Sequence, residues 1–204
     1  MPGLLKMLPT PDPSNPTMYA PFQYPDNIVP TPYMDYEIGG IGLNDPSAGL
    51  EYQVWTCTLD IDPETFVGSV FLEAPNTPRT FIFSYPGITE ISLTFDQNMQ
   101  PFIAFFADGV ALFRWFDSFT SEFTITALPI GTTQPKASLD DKRFHQVGNS
   151  DIILAYVRDG NLYYRYQQER YLVEHLYVTG VTGRLLQVGM NELNRMQFFI
   201  GQNL

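Results

Sequence analysis

The feature that most limits how this chain can fold is an Asp-Gly pair used twice in the same apolar surroundings. Asp108-Gly109 recurs as Asp159-Gly160, an offset of 51 residues. Around it Ala104, Phe105, Phe113, Arg114 and Trp115 lie over Ala155, Tyr156, Tyr164, Arg165 and Tyr166. Asp-Gly between apolar runs is the strongest short signal for a type I′ hairpin turn, because both central residues need φ > 0. The stretches at about 102–116 and 153–167 are therefore predicted as two copies of one hairpin. Their strands are apolar at successive positions, as in Ile153, Leu154, Ala155, Tyr156 and Val157. A sheet built from such strands must be covered on both faces.

The rest of the chain after residue 50 follows the same style. Segments 51–60, 66–73, 80–85, 88–96, 102–107, 110–117 and 122–128 are short, rich in β-branched and aromatic residues, and bounded by Pro, Gly, Asp or Asn. The fold class is all-β: an antiparallel β-sandwich or a partial propeller-like domain, spanning 49–204. A period near 50 residues with both faces buried suits stacked propeller blades, yet 50–204 supply only about three, against roughly four to eight in a closed ring. Either a sandwich or barrel carries a duplicated hairpin, or blades from several chains complete a ring. Helix is credible only at 190–195, where a strand ending at 198–200 competes with it.

Residues 1–48 have a different character. Nine of the seventeen prolines fall between Pro2 and Pro32, and none follows Pro135. Each proline removes an amide donor and fixes φ, so this stretch is predicted to be an extended arm. Tyr19, Phe22, Tyr24, Tyr33 and Tyr36 are scattered along it. Aromatics on a stiff polyproline-like backbone suit docking into grooves, and at ~3.1 Å per residue the arm could reach on the order of 150 Å, onto a neighbouring subunit.

The net charge is −11, which opposes binding to phosphate backbones, so no nucleic-acid partner is expected. With 44% hydrophobic residues the chain is too apolar to remain a solvating tail. Cys57 is the sole cysteine, which leaves no disulfide within the chain and suits a reducing compartment. No signal peptide and no membrane span are predicted. Residues 1–135 carry three basic and fifteen acidic side chains, whereas 136–204 carry eight and seven. That asymmetry predicts contact between an acidic and an Arg-bearing part when copies assemble.

Little in the sequence suggests chemistry, and no enzyme, cofactor or metal site is expected. His145 and His175 stand 30 residues apart without Cys or His at metal spacing. Asp60, Asp62 and Glu64, and the pair Asp140-Asp141, could hold Ca²⁺ or act as acid and base, but they sit among turn-forming residues where Asp serves local hydrogen bonding. The repeat arginines, Arg114 and Arg165, are expected to lie along a strand or to pair across a subunit boundary. Tyr163, Tyr164, Tyr166 and Tyr171 form an aromatic group that could stack on sugars or pack in an interface.

The run Ile91-Ser92-Leu93-Thr94-Phe95-Asp96-Gln97-Asn98 leading into Pro101-Phe102-Ile103-Ala104-Phe105, with 151–165 after it, resembles the repeat region of structural proteins from tailed bacteriophages. The resemblance covers about residues 85–175 and excludes the arm and the stretch from Arg184 onward. It implies a virion component, in the tail or the head–tail connection (a nozzle, adaptor or fibre-docking protein), made in the host cytoplasm and joined to copies of itself and to other virion proteins. It carries over no functional residue. On this reading the assembly interface comprises the five arm aromatics with Arg114 and Arg165. The alternative is a carbohydrate-binding module that recognises a host-surface glycan through Tyr163, Tyr164, Tyr166 and Tyr171.

Overall fold

The computed structural model describes residues 38–43, 52–74, 77–96, 100–139, 151–190 and 196–201. Its regular structure is almost entirely antiparallel β. The first sheet comprises β1 (Ile38–Leu43), β2 (Tyr52–Ile61), β3 (Val67–Ala74) and β4 (Thr77–Pro86). The second comprises β5 (Ile88–Phe95), β6 (Pro101–Ala107), β7 (Val110–Asp117) and β8 (Glu122–Ala127). The third holds β9 (Thr132–Leu139), β10 (Ile152–Arg158), β11 (Asn161–Tyr166) and β12 (His175–Val178). A two-stranded sheet of β13 (Arg184–Met190) and β14 (Met196–Gly201) follows. The seven strand segments expected over 51–128 are β2 to β8, with no end displaced by more than three residues.

Each four-stranded sheet is a meander in sequence order. Its first strand meets the first strand of the next: β1 touches β5, β5 touches β9, and β9 touches β13. That is how consecutive propeller blades stack, inner strand beside inner strand. Of the two all-β arrangements left open by the sequence, the partial propeller-like one describes this stack. Of residues 1–48, read as an arm, Ile38–Leu43 pair with β2 as the inner strand of the first sheet. The other residues of that segment, including Tyr19, Phe22, Tyr24, Tyr33 and Tyr36, lie outside the described residues. So do residues 191–195 of the helix-or-strand alternative, and β14 supplies the strand at 198–200.

Strand alternation explains why the central strands are apolar throughout. On β6, Ile103, Phe105 and Ala107 enter the core shared with the first sheet, while Phe102 and Ala104 enter the one shared with the third. On β10, Ile152, Leu154 and Tyr156 face the second sheet, and Ile153, Ala155 and Val157 face β13 and β14. A two-residue period with both faces covered leaves no solvent-facing position for a polar side chain. Cys57 is free and buried in the first of these cores, and burial pushes its thiol up to about 12.

The duplicated turn has the backbone that the sequence requires. Asp108 and Gly109 have φ of 47° and 80°, Asp159 and Gly160 of 52° and 71°, which is the type I′ signature. The first sheet makes the same β2–β3 connection with another turn. There Phe66 N–H donates to the Asp62 carbonyl, and Phe66 itself takes φ of 55°, so the repeat is present structurally without its Asp-Gly mark. An added Cβ at Gly109 or Gly160 meets nothing within 4 Å. Gly109→Ala and Gly160→Ala should each destabilise by about 1 kcal/mol through φ alone. Gly87→Ala should cost more, because its Cβ would overlap the Asp108 carboxylate. Urea unfolding of the three variants orders them.

A bulge accommodates the one proline inside β9. The register between β9 and β10 shifts between Ala155 and Val157, opposite Gln134 and Pro135, and Gln134 has φ of 56°. The missing amide of Pro135 thus falls where the ladder is already interrupted. The bulge also leaves Gln134 Oε1 accepting from the Leu185 amide at 2.6 Å. Ser92 Oγ likewise accepts from the Ala137 amide at 3.0 Å. Neighbouring inner strands are therefore tied by side chain to backbone as well as by packing.

Candidate assembly surface

The third sheet holds the site residues of the C-terminal half, and strand alternation separates them. Tyr163 and Arg165 project toward the second sheet, whereas Tyr164 and Tyr166 project toward β13 and β14. Tyr171 lies in a loop and is buried among Phe102, Phe113 and Trp115, with ring centroids 5.0–5.2 Å away. The four tyrosines thus occupy two faces and a core rather than one surface. The alternation along β11 was readable from the sequence; the burial of Tyr171 depends on the fold of the loop.

Arg165 is held inside the chain. Its Nε donates to Tyr156 Oη at 2.7 Å, Nη1 to the Tyr171 carbonyl at 2.7 Å, and Nη2 to Glu174 at 3.4 Å. Arg158 adds two bonds to the same carboxylate, at 2.8 and 2.6 Å, and Tyr156 Oη donates to it at 2.5 Å. Burial works to raise the Glu174 pKa, but the bonds from Tyr156 and both arginines, with the Arg158 charge, hold it below its ordinary value. Burial, with the Glu174 bond, pushes Tyr156 well up. This network fastens residues 167–174 onto the third sheet. Sequence reading missed Tyr156, Arg158 and Glu174, since nothing in their spacing shows that they converge.

The two buried tyrosines differ in a testable way. Tyr156 Oη has two partners, donating to Glu174 Oε2 and accepting from Arg165 Nε, whereas the buried Tyr171 Oη has no hydrogen-bond partner among the described residues. Tyr156→Phe should lose roughly 1.5–3 kcal/mol, as expected for bonds to charged groups. Tyr171→Phe should stay within about 0.5 kcal/mol of the parent, because it removes a hydroxyl that makes no bond. Paired denaturant melts of the two variants check the contrast.

Arg114, the other repeat arginine, has different company. Its guanidinium lies 3.7 Å from the Phe123 ring centroid and 5.6 Å from that of Phe83. Nη1 is buried without a hydrogen-bond partner among the described residues, and burial lowers its pKa. The stacked aromatic faces hold the cation.

Several cations of the C-terminal part meet carboxylates of the acidic part within one chain. Arg170 pairs with Asp117 at 2.5 Å, and Glu90 takes both Arg184 at 2.6 Å and Lys136 at 3.3 Å. The Glu90 cluster links β5, β9 and β13. The carboxylates considered for metal or catalysis have local roles. Asp60 pairs with Arg79 at 2.7 Å, and Asp62 accepts from the amides of Glu64 and Thr65. Among the described residues no group of three or more His, Cys, Asp or Glu is placed to hold a metal ion. His175 lies beside Glu169 at 2.7 Å; His145 and Asp140-Asp141 fall outside the described residues.

The face of the third sheet toward β13 and β14 carries a cluster of aromatic rings, half-buried except for Tyr177. Tyr164 stacks on His175 with centroids 5.0 Å apart, Tyr166 meets Tyr164 edge-on at 5.2 Å, and Tyr177 meets Phe198 of β14 at 4.3 Å. Burial, chiefly, pushes the Tyr166 phenol up to about 12. Among the described residues the final sheet has two strands where each preceding sheet has four. It packs through β13 on β9 and β10, and Tyr177 remains 51% exposed on the outermost strand. Comparison with known protein families, with curated proteins and with solved structures finds no match to this chain.

Proposed function

We propose that this chain is a structural subunit of a tailed-bacteriophage particle, in the tail or the head–tail connection, that acts by assembling with copies of itself and with other virion proteins. The observation that carries the assembly reading is the unequal end of the stack. A blade apolar on both faces needs a neighbour on each side, and among the described residues the four-stranded third sheet is met by only two strands, β13 and β14, whose Phe198 reaches Tyr177 of β12 while Tyr177 stays 51% exposed. The sequence resemblance over 85–175 supplies the particle. Sedimentation of the purified chain together with mass spectrometry of purified particles tests both parts. Oligomers in solution and the chain in the particle are the expected results; a monomer at all concentrations, absent from particles, overturns the proposal.

The arm's part in assembly has its own test. A deletion ending at residue 37 spares β1 and should leave the sheets folded while incorporation into the particle fails. Normal incorporation of the truncated chain would reject a role for the arm. The second reading, a carbohydrate-binding module, is favoured by the exposed Tyr177 beside the half-buried Tyr164 and Tyr166 on one face. Glycan-array binding lost in Tyr164→Ala would support it, and a flat array would count against it.

A further inference from the structure

The aromatic face of the third sheet is met by the two-stranded sheet of β13 and β14, which half-buries Tyr164 and Tyr166 and leaves Tyr177 on the outermost strand 51% exposed. Tyr164, Tyr166, His175 and Tyr177 stand on β11 and β12, and Phe198 reaches them from β14. The exposed Tyr177 continues into the half-buried rings of Tyr164, Tyr166, His175 and Phe198, and an exposed apolar patch of this kind normally marks a binding site. We infer that its occupant is the N-terminal segment of this same chain, residues 1–37, laid across the rings in an extended, polyproline-like conformation.

Three considerations single out that segment. Surfaces lined by aromatic rings recognise proline-rich segments, whose stiff backbone has little entropy left to lose. Residues 1–37 carry nine prolines, including Pro9, Pro11, Pro13 and Pro16. The same prolines prevent the segment from covering the face as an ordinary added strand, because they remove amide donors that a ladder on the β14 edge would need. Length permits the docking. The segment joins β1 in the first sheet, and at ~3.1 Å per residue it spans on the order of 115 Å, whereas sheets pack about 10 Å apart. It can therefore reach the third sheet of its own chain or of a second copy. The inference stands on the fold and the sequence, independently of any particle.

Photo-crosslinking of the full chain tests it, with p-benzoylphenylalanine replacing Tyr24. Crosslinks are expected on peptides from 162–178 and 196–201. Their yield should fall about three- to tenfold in Tyr177→Ala, the effect of losing one aromatic contact, and persist in Tyr177→Phe. Leu176→Ser, on the opposite face of β12, should leave the yield unchanged. Mixing isotopically light and heavy chains assigns each crosslink to one chain or to two, and either outcome supports docking. Crosslinks confined to the first or second sheet, or a yield indifferent to Tyr177→Ala in a variant with unchanged circular dichroism, would overturn the inference. Oligomers that sediment normally while these crosslinks are missing would reject the docking and leave the assembly reading intact.

Discussion

Phe105→Ala is expected to lower the unfolding free energy by about 3–5 kcal/mol. Phe105 is fully buried on β6, the strand whose two faces serve two cores. Its ring lies 5.3 Å from both Phe83 and Tyr85, so truncation opens a cavity between the first and second sheets that strands anchored on both sides cannot close. For a chain of this length the loss corresponds to a drop of roughly 6–20 °C in melting temperature. Phe119→Ala is the matched control: Phe119 is 79% exposed, and its contact with Arg170 is at the surface. Calorimetry of the two variants should separate them clearly. Equal, small shifts would mean that the first two sheets do not share a continuous core.

Glu174→Ala should be nearly as damaging, at roughly 2–4 kcal/mol. The substitution removes the carboxylate shared by Tyr156, Arg158 and Arg165 and leaves two guanidinium groups facing each other beside a buried phenol. Loosening should begin in residues 167–174, which the network fastens, and hydrogen exchange there should rise first. The same group sets an acid limb. Its folded pKa lies below the ordinary 4.5, so its stabilisation is complete above that value and is lost as the pH falls through the depressed one. The parent should therefore lose stability below pH 4.5 more steeply than Glu174→Ala, a difference readable from melts over the acid range. Parallel acid limbs would show that the network contributes nothing.

The hairpins, their turn type and the two-sided burial were legible in the sequence because each follows from local rules. Asp-Gly dictates left-handed φ at both turn residues, and an uninterrupted apolar strand has no face to give to water. The candidate site was legible only in part. Alternation along β11 separates Tyr163 from Tyr164 and Tyr166 in the sequence itself, whereas Glu174 is indistinguishable there from any surface carboxylate. Its two arginine partners are 16 and 9 residues away and meet it only once the loop folds back. Charge asymmetry between the two parts of the chain was likewise visible, but not its address: Asp117 and Glu90 receive Arg170 and Arg184 from 53 and 94 residues away in the same chain.

By itself, then, the sequence determined strands β2 to β8, the duplicated Asp-Gly hairpins and the need for a cover on both faces of their sheets, since these depend on neighbours one or two positions along the chain. Only the tertiary structure decided that the sheets stack by their first strands, that Ile38–Leu43 begin the stack, and which aromatics are left exposed at its end. Those outcomes rest on contacts such as Ser92 with Ala137 and Gln134 with Leu185, 45 and 51 positions apart, and no local pattern specifies which distant face will provide the cover.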